Sequence, residues 1–289
     1  MTIDTRACAD SPPSARMPDV LMHTRDIKRH YAVERALADR LRKASRSERL
    51  TLYSELYNEL FKSVPDHPQV TAHKTPEATA SETARQFGIL SPFLTKDSIV
   101  LEIGAGGCHL SQEVARHVRQ VYALDVSDEI ATRIILPANC KLVLSDGLTV
   151  PVPEGSVDVA YSNQLMEHLH PDDAVEQLHN VYRALKPGGA YICITPNALC
   201  GPHDVSRGFD REPTGFHLKE YDNRQLTVLF QQAGFRRVRA WLSYERVVVP
   251  WTFPMGPVRA IERILSLTPH RVRQVLGYPL SAIKFIGYK

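Results

Sequence analysis

Apolar residues recur at three- and four-residue steps along the first part of the chain. Ile27, Tyr31, Val33, Leu37 and Leu41 do so, and after a basic stretch Leu50, Leu52, Tyr53, Leu56 and Leu60. That period predicts helix from about 25 to 62. The run Ser63-Val64-Pro65-Asp66-His67-Pro68 should stop it, because proline cannot continue a helix. A third helix is expected over about 81–94. Residues 1–22, rich in Pro, Ser, Ala and Asp, read as a disordered tail without the apolar stretch of a signal peptide.

Beyond residue 97 the pattern changes to short apolar runs separated by helical periods. Strands are expected at Ser98–Ile103, Val121–Asp125, Lys141–Asp146, Val157–Ser162, Ala190–Thr195 and Phe235–Leu242, and in a final run from Ala282 to Tyr288. Between them lie helical segments at His109–Val118, Glu129–Ile135, Asp172–Leu185 and Asn223–Ala233. Strands alternating with helices through short loops imply a parallel sheet covered on both faces, an α/β architecture. A helical cap over 23–84 would precede the α/β domain of 85–289, which carries a lid insertion at about 243–280.

Composition narrows the class. Apolar residues form 43% of the 289-residue chain and charged residues 23%, enough for an ordinary buried core. The net charge of +3 is mild, and no basic run is interleaved with aromatics, so no nucleic acid is expected as partner. Five cysteines, an odd number without a C-x-x-C pair, read as reduced thiols of a cytoplasmic protein. No apolar stretch reaches the ~18–20 residues of a membrane-crossing helix.

The chemistry concentrates in Val100–Ser111, V-L-E-I-G-A-G-G-C-H-L-S. A buried strand ends in a tight turn where Gly104 and Gly106 allow torsions and close approach that a Cβ would forbid. A dinucleotide site would look similar, but Glu102 stands just before the glycines. A carboxylate there repels a pyrophosphate and suits an ammonium group. Asp125 ends the next strand, where an acid grips ribose hydroxyls. Asp146 ends the third, where it can accept from an adenine amino group. A nucleoside joined to an amino acid without phosphates is S-adenosyl-L-methionine. The expected cofactor-binding set is Glu102, Gly104, Ala105, Gly106, Asp125, Val126, Asp146, Gly147 and Asn163. The structural alternatives are a plain tight turn at the glycines, a helix-capping acid at Asp125 and a turn residue at Asp146.

In this order the segments Glu102–Gly106, Val121–Asp125, Ser145–Gly147, Asp158–Asn163 and Leu185–Gly189 resemble the class I methyltransferases. They are most similar to the ubiquinone/menaquinone-biosynthesis-like group. The resemblance spans roughly residues 85–245 and departs at Cys108, which stands where the family has its third glycine. It implies a Rossmann-like, doubly wound seven-stranded sheet whose last strand runs antiparallel in a hairpin with the sixth. It also implies that the helical cap and the 243–280 insertion wall an acceptor pocket.

If a hydroxyl accepts the methyl group, a general base helps. The candidates are His168, His203 and His217. His168 follows the fourth strand, His217 precedes a helix, and relatives often carry a histidine at either place, which also fits packing roles. His203 and Asp204 lie in a polar loop beyond the fifth strand, beside Arg207, Asp210 and Arg211. A His/Asp pair can suggest a metal, but no third ligand has convincing spacing, so none is expected. Residues 257–289 combine arginines with apolar stripes. They read as a lid packed on the sheet or as a surface for membrane or a lipid-linked acceptor. The leading expectation is a methyltransferase acting on a small molecule at oxygen, such as a secondary metabolite, glycan or quinone-like compound. The rivals are a nicotinamide oxidoreductase, which Glu102 disfavours, and a catalytically silent cofactor-binding protein.

Overall fold

The computed structural model describes residues 24–65, 67, 75–126, 135–244 and 247–289. The expected tail and the helix expected from Glu129 lie outside the described residues, apart from Ile135. The two early helical runs are α1 (Thr24–Lys43) and α2 (Arg46–Ser63), parted at the expected basic stretch. Ser45 separates them. Its hydroxyl takes the Glu48 N–H while the Glu48 carboxylate takes the Ser45 N–H, a reciprocal cap that starts α2. Helix α3 (Pro76–Leu90) begins five residues earlier than expected, with Thr75 as its cap and Pro76 in its first turn.

The α/β part runs β1 (Ile99–Ile103), α4 (His109–Ala115), β2 (Gln120–Asp125), β3 (Cys140–Leu144), β4 (Val157–Asn163), α5 (Pro171–Ala184), β5 (Leu185–Pro196), α6 (Asn223–Gln232), β6 (Arg237–Tyr244), β7 (Val247–Pro254), α7 (Met255–Ser266), α8 (His270–Leu276) and β8 (Ala282–Tyr288). The sheet order is β3-β2-β1-β4-β5-β8-β6-β7. Strands β1 to β5 pair in parallel, and β8 runs antiparallel between β5 and β6. The α/β Rossmann-like class stands, with eight strands instead of seven. The extra strand is β7, which lies within the segment read as a lid and, among the described residues, pairs with β6 alone. The last strand is antiparallel to β6 as expected, but β7, α7 and α8 intervene, so the two form no hairpin.

Alternation along the strands divides the core. Leu101, Ile103 and Leu124 face a layer that holds Leu37, Leu41, Leu56 and Leu60 of α1 and α2 together with Leu178 and Val181 of α5. Val100, Val121 and Ala123 face the opposite layer with Ile89, Leu110 and Val114. The first two helices therefore share the sheet's own core. Each fully buried leucine among them contributes about 1.5–3 kcal/mol. A buried ion pair fixes their placement: Arg49 donates twice to Asp173 of α5, at 2.6 Å each, and the Tyr53 hydroxyl donates to the same carboxylate at 2.8 Å.

Candidate active site

Strand order reverses between β1 and β4, and ligand crevices of open α/β sheets form beyond the carboxyl ends of strands at such a point. The expected donor residues gather at that end. Gly104 and Gly106 adopt φ of +74° and +47°, the left-handed region. The N–H groups of Gly104 and Ala105 both reach the Leu124 carbonyl of β2, at 2.8 and 3.0 Å. Cys108 also takes a positive φ, 54°. A Cβ at Gly106 would meet no described atom within 4 Å, so the turn presents an open backbone cradle. One at Gly104 would press on Leu165, at 3.3 Å.

Glu102 is buried and accepts a hydrogen bond from the Ser111 hydroxyl of α4. Burial pushes its pKa up to about 7; the Ser111 bond opposes that, and the charge of Asp125 adds to it. Such a carboxyl is ready to ionise when a cation arrives. Asp125 takes the Gly106 N–H at 2.7 Å and the Val126 N–H at 2.8 Å, one on each oxygen. Asp146 spends one oxygen, Oδ1, on the N–H groups of Leu148 and Thr149 and on the Thr149 hydroxyl. Burial alone would raise it, but those bonds hold it below the usual carboxylate range. The turn-forming role considered for Asp146 is thus present for that oxygen. Gly147 has φ of +90°, and a Cβ there would lie 3.2 Å from the Tyr53 ring, so α2 closes over this loop. Asn163 ends β4, half-buried, two residues before Leu165.

Two of the three candidate bases, His203 and His217, meet at a carboxylate that sequence reasoning did not select, and His168 packs against His217. Glu220, buried, accepts from His203 Nδ1 at 3.0 Å and from His217 Nδ1 at 2.8 Å. Burial would raise Glu220, but the two imidazoles outweigh it and bring it to about 2. His217 loses basicity to burial and more than regains it from Glu220, so its pKa is raised. His168 donates from Nδ1 to the Phe216 carbonyl at 3.0 Å, and burial with the neighbouring His217 depresses it to about 3. The rings of His168 and His217 stand edge to face, 4.9 Å apart. His203 is the most exposed of the three, at 21%. Asp204 does not pair with it. Asp204 caps a short turn through Ser206 and takes the His217 N–H at 3.3 Å.

Two further buried acids escaped the sequence reading. Glu167 follows β4, and its carbonyl anchors the N–H groups of Leu218 and Lys219 at 2.7 and 3.1 Å. Glu34 of α1 takes both His30 and His67 on one oxygen and the Phe216 N–H on the other. Both stood beside histidines at turn or helical spacing, which was the available signal. A cavity of about 710 Å³ lined by Phe87, Leu94, Lys96, Arg116 and His117 sits at the opposite, amino end of β1 and has no part in this arrangement.

Residues 100–189 match the family model described as a methyltransferase domain. A probable S-adenosylmethionine-dependent methyltransferase of Mycolicibacterium smegmatis is 32% identical over 138 residues, 47% of this chain and 51% of that protein. A second, from Mycobacterium tuberculosis, is 31% identical over 137 residues, 47% of this chain and 48% of that one. The chain spans about half the length of these relatives. Among solved structures, a SAM-dependent methyltransferase from Archaeoglobus fulgidus superposes with a TM-score of 0.50 at 18% identity, over 73% of this chain and 94% of its own. The fold is the Rossmann-like methyltransferase fold, and segment 100–189 is similar to the methyltransferase-domain family.

Proposed function

We propose that the chain is an S-adenosylmethionine-dependent methyltransferase that methylates a hydroxyl oxygen of a small molecule in the cytoplasm. The observation that carries this is the ordered row of Glu102, the open glycine turn and Asp125 at the carboxyl ends of adjacent strands β1 and β2. The donor, when bound, supplies a methyl group on a positively charged sulfur. Glu102 receives its ammonium, Asp125 the ribose hydroxyls, Asp146 the adenine amino group through its second oxygen, and Asn163 the methionine end. Ala105, Val126 and Gly147 complete the wall. The protein's task is to align the reactants and exclude water. Of the candidate bases, His203 fits proton removal best. It keeps some exposure, and Glu220 holds its Nδ1, which leaves Nε2 as acceptor. A secondary metabolite, glycan or quinone-like compound would suit such a pocket, walled by the helical cap of 23–84 and the 243–280 segment. The buried free thiols Cys108, Cys140, Cys193 and Cys200 agree with a reducing compartment. Calorimetry tests the donor: S-adenosylhomocysteine should bind and NAD should not, and the reverse preference sinks the proposal.

A lipid-linked acceptor is a second reading, favoured by the surface of α7 and α8. The inner side of α7 packs through Met255, Val258 and Glu262, while along α7, α8 and the turn between them Ile264, Leu267 and Val275 are exposed at 65, 83 and 73% beside Arg263 and Arg271. No described helix is long and apolar enough to cross a membrane, so contact would be peripheral. Flotation with anionic vesicles should carry the protein under this reading and leave it behind under the first.

A further inference from the structure

We propose that Glu167, His168 and His217 hold a divalent metal ion of the zinc class beside the donor site. A ligand atom of each lies within 4.8 Å of the other two, and all three residues are buried. They arrive from two places: Glu167 and His168 from the turn after β4, and His217 from the segment before α6. Hydrogen bonds between the Glu167 carbonyl and the N–H groups of Leu218 and Lys219 hold those places together. This convergence is why no spacing rule finds the set in the sequence, where a metal was not expected.

The donors are prepared as metal ligands usually are. Each histidine commits Nδ1 to an outer acceptor, His168 to the Phe216 carbonyl and His217 to the Glu220 carboxylate. That arrangement leaves Nε2 as the coordinating atom and fixes the ring. Glu167 gives one oxygen to the Thr195 hydroxyl at 2.9 Å. Its other oxygen, Oε1, is fully buried and has no hydrogen-bond partner among the described residues. A buried carboxylate oxygen without a donor is costly to desolvate, and a cation is the strongest remedy. The second trio of this composition, His30, Glu34 and His67, differs on this point. Both oxygens of Glu34 already accept, one from the two imidazoles and one from the Phe216 N–H. It is a closed structural cluster.

Two imidazoles and one carboxylate are the donor set of hydrolytic zinc centres, which keep an open coordination position at about 2.0–2.2 Å ligand distances. The ion's role rests on the methyl-transfer reading given above. An acceptor hydroxyl in the open position would lose its proton to His203 more readily. Its oxygen pair then forms the new bond to the methyl carbon as the carbon–sulfur bond breaks, and that bond's electrons remain on sulfur. His168 and His217 would then hold the ion instead of taking the proton, which leaves His203 for the latter task.

The test is cobalt(II) titration of the full chain after chelator treatment, followed by visible absorption and equilibrium dialysis. One equivalent should bind and give ligand-field bands of a low-coordinate nitrogen/oxygen site. Glu167→Gln and His217→Ala should each remove that equivalent, and Glu34→Gln should retain it. Glu220→Gln, which loosens the His217 ring together with His203 but removes no proposed ligand, should weaken binding by roughly 10–100-fold. No uptake by the wild-type chain, bands that survive in both Glu167→Gln and His217→Ala, or loss in Glu34→Gln alone would each overturn the proposal. Circular dichroism of each variant identifies any that fails to fold, and the near-isosteric Glu167→Gln is then decisive. Calorimetry of S-adenosylhomocysteine with the metal-free chain reports on the donor reading separately.

Discussion

Asp125 and Gly106 are joined directly: the Asp125 carboxylate accepts the Gly106 N–H at 2.7 Å and so ties the glycine turn to the end of β2. The acid expected to grip the ribose is also a brace for the cradle beneath the donor. Charged hydrogen bonds contribute about 1.5–3 kcal/mol each. Asp125→Ala should therefore weaken S-adenosylhomocysteine binding by roughly ten- to a hundredfold in calorimetry. It should also lower unfolding stability by about 1–2 kcal/mol, because two backbone donors lose their partner. Unchanged affinity would mean that the ribose is held elsewhere.

Glu102 makes the unliganded protein less stable at neutral pH than in mild acid. Its pKa, raised to about 7 chiefly by burial, exceeds the ordinary 4.5, so the folded chain binds the proton more tightly than the unfolded one. Its contribution to stability is present below pH 4.5 and falls as pH rises toward 7. Glu102→Gln should then raise stability at pH 8 by on the order of 2 kcal/mol in urea titrations. The same substitution should flatten a rise in donor affinity that the wild-type chain shows as Glu102 ionises. A variant with the wild-type pH dependence in both measurements would remove Glu102 from the ammonium site.

The docking of α2 rests on the buried Arg49–Asp173 pair, with side chains 5% and 1% exposed. Arg49→Ala leaves a buried carboxylate with only the Tyr53 hydroxyl as a side-chain partner. A loss of about 3–5 kcal/mol is expected in denaturant unfolding. The double change Arg49→Met with Asp173→Leu should recover much of it, because an apolar pair needs no partner. If the single variant loses less than the double, the pair is not what holds the helix.

His203→Ala should lower turnover by about 10²–10⁴-fold if it takes the acceptor proton, with S-adenosylhomocysteine affinity nearly unchanged. A parallel loss of donor affinity would point instead to collapse of the loop that Glu220 anchors. Full turnover would leave alignment alone, or the ion, to account for the rate.

Much of this was legible from residue order because local signals agreed with the tertiary outcome. The Ile99–Ile103 run followed by glycines reads as a buried strand and turn, and α5 declares itself by its period from Asp172. Strand β7 did not, because Pro250 and Pro254 argue against a sheet interior. They are tolerated at the edge position that β7 occupies, with β6 as its sole partner among the described residues. Lys186–Gly189 read as a helix stop, yet it enters β5 through an irregular register with β4. The carboxylates at the site were hidden for a different reason. Glu34 meets Phe216 across 182 positions of chain, a distance at which no periodicity speaks. Glu167 and Glu220 were read past in favour of the histidines beside them, although acids buried among imidazoles set the charge of the whole cluster.

The position of β8 also governs how the molecule must be made. Residues 282–288 form the strand that joins β5 to the β6–β7 ribbon. During synthesis the donor half, from β1 to β5, is complete well before that strand leaves the ribosome. Until then the edge of β5 lies open, as does the matching edge of β6, and both are templates for pairing with the wrong chain. A nascent chain of this design needs shelter over that interval, and slow translation between residues 196 and 282 would lengthen it. Variants that weaken β8 should therefore show themselves first as low soluble yield, before any change in the properties of the molecules that do close the sheet.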